Sequence, residues 1–133
     1  MMRKLFLFMV ALFLIFLAAC GNNNNNDSED SEELKALDVE FEIPKTAKKG
    51  EKILLKATVT YGDELVDDAD EVNFEYWEEG REDESTTIES INNENGTYTA
   101  EIVIENEGIF SIYAHTTARG LHTMPLKSVT VEN

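Results

Sequence analysis

Three observations predict that residues 34–133 form an all-β domain. Apolar side chains recur with a period of two from Leu34 onward, no stretch carries a helical stripe of useful length, and Gly, Asn and Asp turn signals separate the alternating segments. Leu37, Val39, Phe41 and Ile43 alternate with Asp38, Glu40 and Glu42, which describes a strand with one wet face. Pro44 to Gly50 breaks it. Ile53, Leu55, Ala57, Val59 and Tyr61 then line one face of a second strand, and the acidic stretch Gly62 to Asp70 reads as a loop. Val72, Phe74 and Tyr76 give a third apolar face; Trp77 falls out of phase with it and is assigned to packing at a strand end. Thr86 to Ile91 is a short strand placed at a sheet edge. The Asn95-Gly96 turn leads into Tyr98, Ala100, Ile102 and Ile104, Glu107-Gly108 turns into Ile109 to Thr117, and Leu121 to Val131 closes the domain. About seven strands in about 100 residues match the size and rhythm of an immunoglobulin-like β-sandwich. The sequence suggests neither a second domain nor an internal repeat.

The first 33 residues read differently. Arg3 and Lys4 form a positive region, Leu5 to Leu17 an apolar one, and Ala18-Ala19 supply the small residues that precede a signal-peptidase cut. A spanning helix needs roughly 20 apolar residues; this stretch is shorter and ends at a polar Asn run, which disfavours a retained transmembrane anchor. Leu17-Ala18-Ala19-Cys20-Gly21 resembles the lipobox of bacterial lipoprotein precursors, which implies cleavage before Cys20 and a diacylglyceryl group on its thiol. Two acyl chains hold a protein stably, since each buried methylene contributes roughly 0.8 kcal/mol. Residues 21–33 contain no apolar side chain and cannot offset the entropy of ordering; as a flexible tether they span roughly 20 Å. The expected organisation is a signal peptide over 1–19, lipidated Cys20 and tether over 20–33, and the β-domain over 34–133, carried on the extracytoplasmic face of the cell membrane.

Cys20 is the only cysteine of the 133-residue chain, so once it is acylated no thiol remains for disulfides, thiolate metal sites or cysteine catalysis. Loss of Arg3 and Lys4 with residues 1–19 leaves nine of the 11 basic side chains against 27 acidic ones, a formal charge of −18. Such a surface repels phosphate backbones, which excludes nucleic acid as a partner. It serves solubility and attracts cations weakly.

Metal or catalytic chemistry concentrates at the carboxyl end. Both histidines, His115 and His122, lie there, with Met124 and Pro125 just after. If Arg119-Gly120 is a two-residue turn, Ala118 opposes Leu121, Thr117 opposes His122 and His115 opposes Met124, so His115, His122 and Met124 share one face. Opposed Cβ atoms stand about 4.5–5.5 Å apart and diagonal ones about 7–8 Å, within reach of a common ion. A three-residue turn would shift the register by one and send His115 to the other face. Two imidazoles and a thioether suit copper better than zinc or calcium. The bland alternative makes both histidines solvated strand residues and Met124 a gap filler.

Nucleophilic triads need a base beside a Ser or Cys, and neither histidine has an obvious serine partner in the sequence, so no catalytic residue is expected. Asp63, Glu64, Asp67, Asp68, Asp70 and Glu71 share one loop, but their spacing is not that of an EF-hand; a self-repelling solvated loop is the expectation.

Val72 to Gly80, Asn95-Gly96-Thr97-Tyr98, Gly108-Ile109-Phe110 and the His-x6-His-x-Met-Pro segment from His115 to Pro125 together resemble the YtkA-like domain, over roughly residues 37–131. That family is related to FixH-type proteins and common in lipoproteins of Gram-positive bacteria. The resemblance implies an immunoglobulin-like fold, and FixH relatives are associated with assembly of copper-containing respiratory oxidases. His115, His122 and Met124 are the positions it carries over. The functional expectation is a lipid-anchored, non-enzymatic protein that handles copper in the envelope; the alternative is a scaffold module for another envelope protein, without metal.

Overall fold

The computed structural model describes residues 34–133. The segments expected to be a signal peptide (1–19) and a lipidated Cys20 with its tether (20–33) lie outside the described residues.

Eleven strands follow one another: β1 (Leu37–Glu42), β2 (Thr46–Lys48), β3 (Lys52–Tyr61), β4 (Glu64–Leu65), β5 (Glu71–Glu78), β6 (Thr86–Glu89), β7 (Ile91–Asn92), β8 (Thr97–Val103), β9 (Gly108–Ala118), β10 (Leu121–Thr123) and β11 (Leu126–Glu132). One sheet runs β1-β3-β8-β7, with β4 added to β3; the other runs β2-β11-β9-β5-β6, with β10 added to β9. In immunoglobulin terms the first sheet has the order A-B-E-D, and β11, β9 and β5 take the places of G, F and C, with β6 beside C. The described residues therefore form an immunoglobulin-like sandwich, with seven principal strands and four short ones.

The period of two in the sequence becomes the two faces of each sheet. Phe41, Ile53, Leu55, Ala57 and Val59 of the first sheet meet Phe74, Ile112, Ala114 and Val129 of the second in one core. The Phe41 and Phe74 rings stack across the sandwich with centroids 5.6 Å apart. Thr116 also faces inward, fully buried, and its hydroxyl donates to the Ala114 carbonyl at 3.4 Å.

Local departures from the expected pattern have physical causes. The break at Pro44 to Gly50 contains β2, because the chain leaves the edge of the first sheet after Pro44 and joins the second, parallel to β11, where Ala47 is buried. The acidic stretch Gly62 to Asp70 is pinned rather than freely solvated: β4 pairs with β3, Val66 is buried, and the buried Tyr98 hydroxyl donates to the Val66 carbonyl at 2.9 Å and accepts the Ala69 N–H at 3.0 Å. Thr86 to Ile91 is two strands rather than one, since the chain crosses between sheets at Ser90, whose hydroxyl donates to the Val72 carbonyl at 2.7 Å. Trp77 sits near the end of β5 on the outward face of its sheet, yet is buried beneath the Tyr113 ring, 5.1 Å away.

Candidate metal-binding face

Inward positions of β9 are Phe110, Ile112, Ala114, Thr116 and Ala118, so Tyr113, His115 and Thr117 face outward. The turn after β9 is the two-residue type. Arg119 and Gly120 both adopt positive φ, 54° and 73°, as a type I′ hairpin requires. Ala118 pairs with Leu121, Thr117 with His122 and Thr116 with Thr123. The ladder is interrupted at Met124-Pro125 because proline has no N–H to give. Its carbonyl still accepts the Ala114 N–H at 3.1 Å, and β11 resumes at Leu126 opposite Tyr113. The register is thus unchanged across the interruption, and Met124 occupies the position opposite His115.

The two imidazole rings of the chain are neighbours, with centroids 5.8 Å apart and planes inclined by 31°. An imidazole nitrogen binds a metal at about 2.0–2.1 Å, so two of them on one ion stand roughly 3–4 Å apart, which rings at this separation reach with small side-chain rotations. Tyr113 continues the row, 5.5 Å from His115. Met124 is exposed. Among the described residues no three His, Cys, Asp or Glu side chains converge on a point that would hold an ion. A site here therefore needs its third donor from another residue type, and Met124 is the one that the register supplies.

Three contacts brace the face. His115 Nε2 lies 2.9 Å from Glu75 Oε1, both side chains being about one-quarter exposed. Ser85, next after the 3-10 turn Glu82–Glu84, donates its hydroxyl to Glu75 Oε2 at 2.7 Å. These hydrogen bonds, Ser85 first and His115 second, hold the Glu75 carboxyl below its usual value. His122 Nδ1 lies 2.8 Å from the Thr117 hydroxyl. At the hairpin tip, the Arg119 guanidinium donates to Asp68 at 2.7 Å, and this hydrogen bond lowers the Asp68 pKa.

Glu75 and Ser85 went unread in the sequence. Glu75 is 40 positions from His115 and sits in a chain so acidic that no single carboxylate stands out. The signal was present only in combination: Glu75 is outward on β5, and the β5–β9 register sets it opposite Tyr113, diagonal to His115.

A family model described as YtkA-like matches residues 31–115. The matched span includes Glu75, Ser85 and His115 and stops short of His122 and Met124. No curated protein matches the sequence. Among solved structures, the superoxide reductase (neelaredoxin) of Ignicoccus hospitalis aligns with 79% of this chain and 89% of its own, at 15% identity and TM-score 0.51, a likeness of fold. The CARDB domain of a Pyrococcus furiosus protein, in complex with di-metal ions, aligns over 75% of this chain and 90% of its own, at 16% identity and TM-score 0.47.

Proposed function

Because the chain belongs to the YtkA-like family, and its sandwich carries both histidines on one hairpin, we propose that it is a lipid-anchored envelope protein that holds a copper ion. His115, His122 and Met124 are the ligands. The observation that carries the reading is the 5.8 Å approach of the only two imidazoles in the sequence. Acidic side chains outnumber basic ones 27 to 11 in the sequence, yet this patch presents two imidazoles and one thioether. Soft sulfur with imidazole favours Cu(I) and tolerates Cu(II). The face is open, which suits an ion received and passed on to an acceptor protein of the envelope rather than one buried as a permanent cofactor. No catalytic role is assigned.

The anchor is Cys20, diacylglycerylated after removal of residues 1–19, with the tether of residues 21–33 holding the domain just outside the cytoplasmic membrane. Its support is the run Leu17-Ala18-Ala19-Cys20 behind the basic and apolar segments. Labelled palmitate is expected to enter the wild type and not Cys20→Ser; equal labelling of both sinks the anchor. Calorimetric titration of the full chain in detergent with Cu(I), under reducing conditions, tests the ligands. About one ion per chain is expected, with affinity down about tenfold or more in His115→Ala/His122→Ala. No uptake, or equal uptake by the variant, leaves the domain as a scaffold module for an envelope partner.

A further inference from the structure

We propose that Glu75, steadied by Ser85, is the positioning residue of this face: it holds His115 in the Nε2–H tautomer, so that the donor offered by His115 is Nδ1 while His122 offers Nε2. The inference deepens the copper reading and rests on it only for its metal arm.

The argument begins with the valence of the groups. An ionised carboxylate only accepts hydrogen bonds, and near pH 9 a glutamate carboxyl, ordinarily about 4.3, is ionised. A ring nitrogen 2.9 Å from its Oε1 must therefore carry the proton. Rotating the imidazole by half a turn would set a C–H against the carboxylate and forfeit a charge-assisted hydrogen bond, which is roughly twice as strong as a neutral one. The ring orientation and the tautomer are thus set by one contact. Once Nε2 is a donor, the lone pair of neutral His115 is on Nδ1.

Glu75 cannot swing away to share this proton with solvent at no cost. Its second oxygen is engaged by Ser85 at 2.7 Å, and Ser85 is fixed where the 3-10 turn Glu82–Glu84 hands over to β6. Arg81 ties that turn, reaching Glu78 at 3.8 Å and Glu84 at 3.7 Å. The carboxylate is bracketed by Ser85 on one side and His115 on the other, on the central pair of strands β5 and β9. On His122 the engaged nitrogen is Nδ1, 2.8 Å from the Thr117 hydroxyl; with Nδ1–H donating to that oxygen the lone pair lies on Nε2, which among the described residues no side chain bonds. The two rings therefore present unlike nitrogens. A carboxylate behind a metal-binding imidazole fixes its tautomer and raises its basicity, and losing such a partner costs 10–100-fold in affinity.

The test uses the full chain labelled with 15N only at histidine, in detergent micelles, near pH 9, well above the ordinary histidine value of about 6.5. With two histidines in the sequence, a long-range proton–nitrogen spectrum contains four ring nitrogens, assigned with His122→Ala. In the metal-free wild type, Nε2 of His115 is expected to resonate as a protonated pyrrole-type nitrogen and Nδ1 as a pyridine-type one. Glu75→Ala is expected to relax the ring to a tautomer mixture, and Glu75→Gln, whose amide oxygen still accepts, to restore it. A pyridine-type Nε2 in the wild type, or an unchanged spectrum in Glu75→Ala, overturns the inference. On addition of Cu(I), Nδ1 of His115 and Nε2 of His122 are expected to shift, and affinity to fall about tenfold or more in Glu75→Ala and recover in Glu75→Gln. A shift at Nε2 of His115 instead overturns the inference. A wild type that takes up no Cu(I) removes the copper reading alone, and the metal-free spectra then decide for or against Glu75.

Discussion

Replacing Tyr98 by Phe deletes one oxygen and tests how the acidic loop before β5 is held. Tyr98 is 3% exposed and its hydroxyl joins two backbone groups, the Val66 carbonyl at 2.9 Å and the Ala69 N–H at 3.0 Å. Each such bond contributes about 0.5–1.5 kcal/mol net, so the pair is worth about 1–3 kcal/mol. The shape of the ring is kept, which leaves no cavity to add a second cost. Urea unfolding followed by the fluorescence of Trp77, the one tryptophan in the chain and buried against Tyr113, reads the change. With a slope of about 1–3 kcal/mol per molar urea, a loss of about 2 kcal/mol moves the midpoint down by about 1 M. The same loop donates the Asp70 N–H to the Thr117 carbonyl at 2.8 Å, so the Asp70 amide is expected to exchange faster in the variant. Tyr61→Phe, which removes a hydroxyl from a half-buried ring packed at the edge of the core, serves as the control. A midpoint shift below about 0.2 M for Tyr98→Phe, or one equal to that of the control, refutes the reasoning.

Asp68 and Glu75 both have folded-state pKa values below their ordinary 3.8 and 4.5. Their stabilisation is therefore complete above those ordinary values and is lost as pH falls through the lowered ones. Urea midpoints of the wild type are expected to drop as pH falls below those ordinary values, and less steeply in Asp68→Asn and Glu75→Gln; parallel curves for all three contradict the assignment. Gly96 and Gly120 both hold positive φ, at 85° and 73°, but an added Cβ at Gly96 meets the Leu65 side chain at 2.9 Å while at Gly120 it meets nothing within 4 Å. Gly120→Ala is expected to cost about 1–2 kcal/mol from backbone strain alone, and Gly96→Ala more; the reverse order in urea unfolding refutes the steric account. Thr117→Val keeps the shape of an outward strand residue and removes the hydroxyl 2.8 Å from His122 Nδ1. Stability is expected to change by less than about 0.5 kcal/mol while the His122 ring nitrogens broaden or average in the 15N spectrum; an unchanged His122 signal contradicts the bracing role.

How much was legible in the sequence depended on whether the information was local. The alternation along Lys52–Tyr61 and Gly108–Ala118 names the buried face of each strand directly, since a period of two admits only two phases. The hairpin at Arg119-Gly120 was legible as two alternatives, and the positive φ at both residues selects the two-residue turn. Pro44 was visible as a break, but the short parallel pairing of Thr46–Lys48 with β11 was not, because its partner lies more than 80 positions away and parallel pairing leaves no local turn signature. Thr86 to Ile91 read as one strand because nothing in its composition marks Ser90 as the place where the chain changes sheet. Glu75 was hidden for a related reason: only the β5–β9 register gives that one carboxylate among 27 acidic residues a specific partner.

The placement of the histidines on strands rather than loops bears on what the face can do. His115 is on β9, which has β5 on one side and β10 and β11 on the other, and its ring is fixed by a carboxylate that is itself fixed by Ser85. His122 is on the short β10, exposed, held by a single hydroxyl and followed at once by Met124-Pro125, where proline interrupts the ladder. The two donors are thus unequal by construction. A rigid strand defines a ligand position better than a loop does, so His115 provides the fixed point, while β10 and the interruption after it supply the side of the site with room to adjust. Under the proposed copper reading, that asymmetry would suit an ion that is taken up and released: the ligands on β10 and beyond it would yield to an incoming acceptor before His115 does.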